Sequence, residues 1–237
     1  MIQDFRGKNV LITGGAGGIG IETASAFAKA EASVWIMDRT REALDAAMER
    51  LSPHGKVMTL KADVTDRTAL EAAFEVVARE GGTDILITTA AIVKTGPILD
   101  FDPDDWRRIL EVNLTGTLNC CQFAGRQMLK KGWGRIITVS SVNGQIANTG
   151  RGAYSCTKGG VDMLTRLLAA ELGDKGTTGN AVAPVPVDTP MVLDEGSSGL
   201  GGTDPGKTLC QTRGGRRGDS VSGLGGCGVC QRARSER

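Results

Sequence analysis

The stretch VLITGGAGGIGIETASAFAKA, Val10 to Ala30, passes from an apolar run through five glycines in seven residues into an amphipathic segment. Apolar residues bounded by glycine read as a buried strand, and the segment from Ile19 to Ala30 has helical spacing. Strand, glycine turn and helix in that order make a phosphate cradle. Glycines let the main chain approach a pyrophosphate, and the helix N-terminus offers unpaired N–H groups and partial positive charge. Two spacings fit the loop: G-x-G-x-x-G on Gly15, Gly17 and Gly20, and T-G-x-x-x-G-x-G on Thr13, Gly14, Gly18 and Gly20. Glycine spacing alone does not choose between them. Asp38 ends the next strand-like run, SVWIMD. A carboxylate there accepts hydrogen bonds from an adenosine ribose diol and repels a 2′-phosphate. The expectation is a dinucleotide site that takes NAD in preference to NADP, with Arg39 directly after Asp38 softening the preference.

Working outward, strand-like runs recur at NVLIT, SVWIMD, KVMTLKAD, DILITTA and GRIITVSS. Amphipathic stretches lie between and after them, at Ile19–Ala30, Arg41–Leu51, Arg67–Arg79, Asp104–Lys130 and Ala153–Leu172. Continuous apolar strands alternating with helices predict a parallel sheet covered on both faces, with right-handed crossovers. The fold class is therefore α/β, a doubly wound parallel sheet of the Rossmann type in a single domain. Ligands of such sheets bind at the carboxyl ends of the strands.

Composition narrows the function classes. A net charge of +1 supplies no overall field for nucleic acid or an acidic membrane, so neither is an expected partner. MIQDFRGK runs straight into the first strand with no apolar signal core, and no apolar run is long enough to span a bilayer. The expected setting is soluble and cytoplasmic. Free thiols suit Cys120, Cys121 and Cys156 in that setting. The single histidine, His54, sits in the turn-like SPHGK. After about residue 195 the chain changes character, with 12 glycines and six arginines in 42 residues and no aromatic. Such a segment cannot offset its ordering entropy, so a disordered tail is expected over 194–237, following a domain over 1–193. CGVC near its end is half of a zinc site without the other half, so no metal is expected. TRGGRRGD faintly resembles an Arg-Gly nucleic-acid segment, but a solvated tail is the simpler reading.

Tyr154, the only tyrosine, stands in GAYSCTKGG with Lys158 four residues on. Residues four apart share a helix face, so an ordinary surface pair is one reading. The other reading comes from motifs taken together: Thr13-Gly14-x-x-x-Gly18-x-Gly20, Asp63-Val64, Asn113 in EVNLTG, Ser141 thirteen residues before Tyr154, and Tyr154-x-x-x-Lys158. With Asn180-Ala-Val-Ala-Pro184 and Val187-Asp-Thr189-Pro, the chain resembles the short-chain dehydrogenase/reductase family over roughly residues 4–193. Within that family it is most similar to the 3-oxoacyl-carrier-protein reductases and the sugar and polyol dehydrogenases.

The resemblance implies an NAD(P)-dependent oxidoreductase that moves a hydride between nicotinamide and a secondary alcohol or ketone. It implies Tyr154 as acid/base and Lys158 as its tuner, also bonding the nicotinamide ribose. Ser141 would hydrogen-bond the substrate oxygen, with Ser140 its structural neighbour, and Asn113 would position a proton-relaying water. A free phenol titrates near ~10, and a neighbouring cation favours its ionised form. Cofactor contacts are implied at Gly14, Gly18, Ile19, Gly20, Asp38, Arg39, Asp63, Val64, Thr89, Ala90, Tyr154, Lys158, Pro184, Val187 and Thr189. A homodimer or homotetramer is implied as well.

Some residues depart from the family pattern. Thr88-Thr89-Ala90-Ala91 replaces the usual Asn-Asn-Ala-Gly, and a hydroxyl supplies only part of what an amide can. GTTGN before the sixth strand, with Gly179 inside it, weakens that strand. Nothing after residue 195 matches the family's closing helix and strand. The sheet is expected to lack its last strand, with weaker assembly and an unlidded cleft. The alternative function is a dinucleotide-binding protein with little or no turnover.

Overall fold

The computed structural model describes residues 5–185 and 230–232. Six strands alternate with helices: β1 Asn9–Thr13, α1 Gly18–Lys29, β2 Ser33–Asp38, α2 Arg41–Leu51, β3 Val57–Lys61, α3 Arg67–Arg79 and β4 Ile85–Thr88. Then follow α4 Pro103–Leu110, α5 Gly116–Lys131, β5 Gly134–Val139, α6 Gly152–Leu172 and β6 Thr177–Val182. A three-residue strand, β7, spans Cys230–Arg232. Among the described residues the sheet order is β3-β2-β1-β4-β5-β6-β7, parallel through β6. The order reverses between β1 and β4, which opens a crevice at their carboxyl ends.

Side chains alternate across the sheet and fill two cores. Val10, Ile12, Val34 and Ile36 face α1 and α2, where Ala24, Leu44 and Leu51 meet them. Leu11, Met37, Leu86 and Ile136 face the other way, against Leu70 and Phe74 of α3 and Cys120 and Met128 of α5. Helix starts are capped by side chains at Thr40, Asp66 and Asp102, each accepting first-turn N–H groups. These caps explain why α2 and α3 begin where their amphipathic pattern begins.

Two elements differ from the sequence expectation. The predicted helix Asp104–Lys130 is interrupted by a π-helical turn, Glu111–Thr115, which separates α4 from α5. No proline marks it, so side-chain periodicity could not reveal the inserted residue. β6 also forms in full although Gly179 was expected to weaken it. A Cβ on Gly179 would stand 3.1 Å from Thr165 O and 3.2 Å from Ala169 N, so the bare glycine admits α6 against the strand.

β7 runs antiparallel to β6, placing Cys230, Gln231 and Arg232 against Val182, Ala181 and Asn180. The expected lack of the family's last strand falls on residues 186–229 and 233–237, outside the described residues. Val187, Thr189 and the 194–237 tail apart from β7 lie outside the described residues. Among the described residues no helix is long and apolar enough to cross a membrane.

Candidate active site

The glycine turn joins β1 to α1 at the crevice. Gly14 has a φ of +64°, and a Cβ there would stand 2.6 Å from the Ala90 main chain at the end of β4. A Cβ on Gly20 would stand 2.4 Å from Gly14 O. Gly17 is exposed, and its nearest neighbour would be 3.3 Å away. A Cβ on Gly15 would stand 2.6 Å from Ile36 Cβ, so Gly14, Gly15 and Gly20 are all close-packed and Gly17 is the loosest of the four, which counts against the spacing that needs Gly17. Gly17 caps α1 without a side chain, so the first-turn N–H groups keep their capacity for an anion. Gly18 and Ile19 form the opening of that turn.

Around the cradle, each expected contact has a local reason for its place. Asp38 Oδ2 accepts from Ala16 N at 3.2 Å and Oδ1 from Arg39 N at 2.8 Å, tying the loop to the end of β2. An ionised carboxylate has about four acceptor sites, so capacity for a ribose diol remains. Asp63 closes a turn by accepting from Thr65 N and Oγ1, at 2.9 and 2.8 Å. Val64 O accepts from Asn119 Nδ2 at 3.1 Å, and Arg67 in turn donates to Asn119. The Thr89 hydroxyl lies 2.7 Å from Thr13 O and 3.0 Å from Gly14 O, so it braces the cradle from β4. Its neighbour Thr88 has a buried hydroxyl with no partner among the described residues. Thr89 thus supplies part of the bracing expected of an amide, and Thr88 supplies none.

The four expected catalytic residues come from three places. Ser141 follows β5, is 8% exposed and accepts Asn143 N at 3.2 Å. That bond leaves its own proton to give. Tyr154 and Lys158 lie on α6, with the Lys158 Nζ 5.5 Å from the phenol ring centroid. Lys158 is 4% exposed and donates to Val139 O at 2.7 Å. Burial pulls its ammonium down from 10.5 to about 8, and the Asp162 carboxylate opposes that pull.

Asn113 sits in the π-helical turn and is fully buried. Its amide clamps Ile92, accepting from Ile92 N at 2.8 Å and donating to Ile92 O at 2.9 Å. It reaches Thr157 Oγ1 at 3.2 Å, whose hydroxyl donates to Tyr154 O at 2.7 Å. The side chain is therefore engaged in fixing the loop after β4 to α6. A water at Asn113 would use its main-chain carbonyl, which already accepts the Thr117 hydroxyl at 2.7 Å. Pro184 O accepts Val142 N at 3.1 Å, closing the far wall.

Residues outside the expected set support the site. Ser140 Oγ donates to Lys158 O at 3.2 Å and stays 2% exposed. Asn143 is held by Asn148. Asp162 and Arg166 continue the four-residue spacing of Tyr154 and Lys158 along α6, a signal readable in the sequence. Cys120 and Cys121 are buried, and burial pushes both thiols far toward the protonated form, which leaves them inert.

A cradle shaped by Gly14 and Gly20, closed by an acidic strand end and faced by a Tyr-Lys pair, matches the short chain dehydrogenase family model over residues 8–198. The chain belongs to that family. It is 38% identical over 194 residues to the short-chain reductase protein NovJ of Streptomyces niveus, covering 81% of this chain and 73% of that protein. The 3-oxoacyl-acyl-carrier-protein reductase of Aquifex aeolicus is 37% identical over 199 residues, covering 81% and 79%. A solved structure of a 3-oxoacyl-acyl-carrier-protein reductase with bound NAD, from Brucella melitensis, superposes with a TM-score of 0.73. It is 33% identical and covers 80% of this chain and 75% of that one. The protein is an NAD(P)-dependent oxidoreductase acting on alcohols or ketones.

Proposed function

We propose that the protein is an NAD-preferring dehydrogenase or carbonyl reductase for a secondary alcohol or ketone, with Tyr154 as its acid/base. The observation that carries this reading is the buried Lys158 ammonium 5.5 Å from the Tyr154 ring centroid, one helical turn along α6. A nicotinamide held beside Tyr154 and Lys158 would supply the hydride acceptor or donor. In oxidation the Tyr154 phenolate takes the substrate hydroxyl proton as the carbinol hydrogen departs with its electron pair. In reduction the phenol gives its proton to the carbonyl oxygen. Lys158, at about 8, stays protonated at pH 7 by roughly ten to one and favours the phenolate. The Ser141 hydroxyl donates to the substrate oxygen while its lone pair holds Asn143 N. Asn113 keeps the loop at Ile92 and the helix at Thr157 in one arrangement.

Gly14, Gly18, Ile19 and Gly20 hold the pyrophosphate, Asp38 and Arg39 the adenosine ribose, and Asp63 and Val64 the adenine. Thr89, Ala90, Pro184, Val187 and Thr189 complete the nicotinamide end. The substrate belongs among sugar, polyol or 3-oxoacyl compounds, the chemistry named for several relatives. The catalytic unit is residues 1–193 with 194–237 appended, and it works as a homo-oligomer in the cytoplasm. A non-catalytic dinucleotide binder has no observation in its favour among the described residues.

The test is oxidation of a panel of secondary alcohols with NAD and with NADP, beside titration of each cofactor. Turnover with NAD and tighter NAD binding are expected. Asp38→Ala should narrow the preference tenfold or more, by removing a diol acceptor and a like-charge repulsion. Tighter NADP binding by the parent would overturn the cofactor assignment. Binding without turnover of any alcohol or ketone would overturn the catalytic one.

A further inference from the structure

Tyr154, Lys158, Asp162 and Arg166 recur at four-residue intervals along α6. Such residues lie one above another on a slowly turning stripe, so phenol, cation, anion and cation follow in order. The middle pair is out of water, with Lys158 4% and Asp162 8% exposed. An ammonium buried without a counter-charge favours the neutral amine, because desolvation penalises the charged form. Asp162 is the charge that acts on Lys158 against burial. Burial raises Asp162 itself, and the Ser140 hydroxyl, Arg166 and Lys158 hold it back. Ser140 donates its hydroxyl proton to Lys158 O at 3.2 Å. It also donates its main-chain N–H to Val182 O at 2.8 Å and precedes Ser141. Ser140 therefore joins the helix bearing Tyr154, Lys158 and Asp162 to the strand end bearing Ser141.

Several charged groups on the elements packed against α6 have other partners, among them Lys131 of α5, which pairs with Asp84. Arg135 of β5 turns to Gly134 O and Gly176 O, and Arg107 of α4 pairs with Asp104. Asp105 of α4 pairs with Lys94. Arg108 of α4, Glu111 of the π-helical turn, Arg126 and Lys130 of α5, and Asp174 and Lys175 after α6 do not act on Lys158. β6 and the turn Val142–Gly144 carry no titratable side chain.

We propose that Asp162 is a positioning residue of the reaction, the counter-charge that holds the Lys158 ammonium beside Tyr154. This rests on the reading of Tyr154 as acid/base, and deepens it. Asp162 does not touch substrate; it acts through Lys158.

Because Tyr154 is the only tyrosine in the chain, the near-ultraviolet absorbance of phenolate follows that one residue in the protein alone, without cofactor or substrate. Phenol and ammonium titrate as a coupled pair, so the midpoint reports the pair. Asp162→Asn should move the phenol midpoint upward by about one pH unit, a tenfold drop in ionisation constant. The sign is diagnostic. An aspartate acting only by direct repulsion on the phenolate would, on removal, lower the midpoint. Asp162→Ser, smaller and also neutral, should give the same upward shift, and Asp162→Glu should restore the parent midpoint. In a Lys158→Met background Asp162→Asn should give no upward shift. A midpoint unchanged or lowered in either folded neutral variant overturns the proposal, even if melting temperature falls. If Tyr154→Phe kept its turnover, the acid/base reading would fail instead, whatever the titration showed.

Discussion

β1 and β4 flank the nucleotide crevice and are buried along nearly every residue, whereas β5 and β6 are buried only at alternate positions. In the first pair both faces are covered, by α1 and α2 on one side and α3 and α5 on the other. In the second pair Ile136, Thr138, Gly179 and Ala181 are buried. Arg135, Ile137, Val139, Asn180 and Val182 are half-exposed, and Thr178 is exposed. The two halves are held differently. The binding half takes its shape from apolar packing on two sides. The catalytic half relies on polar stitches between β5 and α6: Lys158 to Val139 O, Ser140 to Lys158 O, and the Thr138 and Thr165 hydroxyls at 2.6 Å. Packing carries most of the cradle's geometry, with Asp38 tying the loop to β2, while the stitches hold the buried Lys158 between β5 and α6.

The contrast breaks most directly on matched deletions. Ile12→Ala, in the fully buried β1, should cost about 3–4 kcal/mol, and Ile137→Ala, on the half-exposed face of β5, about 1–2 kcal/mol. Urea unfolding of both variants checks this, and equal costs would erase the distinction. Within the cradle, Gly14→Ala should cost about 2–3 kcal/mol, because it adds a Cβ at a left-handed residue already pressed on Ala90. Gly17→Ala should stay within about 0.5 kcal/mol. If Gly17 proved as sensitive as Gly14, the other glycine spacing would be the working one.

Lys158 probes the catalytic half. Its ammonium sits at about 8 in the folded protein against 10.5 ordinarily, so the unfolded chain binds the extra proton between those values. Burial of the charge therefore costs stability below pH 8, by about 3 kcal/mol, and the cost fades as pH rises from 8 to 10.5. Lys158→Met lacks this cost, so against the loss of the Val139 hydrogen bond and of the partner charge of Asp162 it should gain about 3 kcal/mol on the parent at pH 7 relative to its standing near pH 10.5. Near pH 10.5 that gain should be gone. Denaturation of both proteins at the two pH values measures the difference, and a gain independent of pH would contradict the assignment.

How much of this was legible beforehand follows from the same division. β1 to β5 stood out as apolar runs because packed strands declare themselves in composition. α2 and α3 matched residue for residue, since Thr40 and Asp66 cap the starts of clear amphipathic patterns. The four catalytic candidates and the cofactor loop rested on motif spacing. The π-helical turn at Asn113 was invisible, because an inserted backbone residue leaves the local side-chain pattern intact. β6 was undervalued because Gly179 reads as a weak strand residue until α6 is seen resting on it. The Asn119 and Arg67 support of Val64 joins residues some fifty positions apart, beyond any local pattern. Asp162 was legible and missed: the four-residue spacing ran on past Lys158.

On the proposed reading, binding and chemistry are separable, with the cradle in one half of the sheet and the proton transfer in the other. Tyr154→Phe tests it in one protein, by measuring the NAD dissociation constant and the turnover of a secondary alcohol side by side. The expected result is a dissociation constant within about threefold of the parent, because only a hydroxyl is removed. Turnover should fall by two to four orders of magnitude, roughly the usual contribution of a general acid/base. Near-parental turnover, or loss of NAD binding in step with activity, would contradict it.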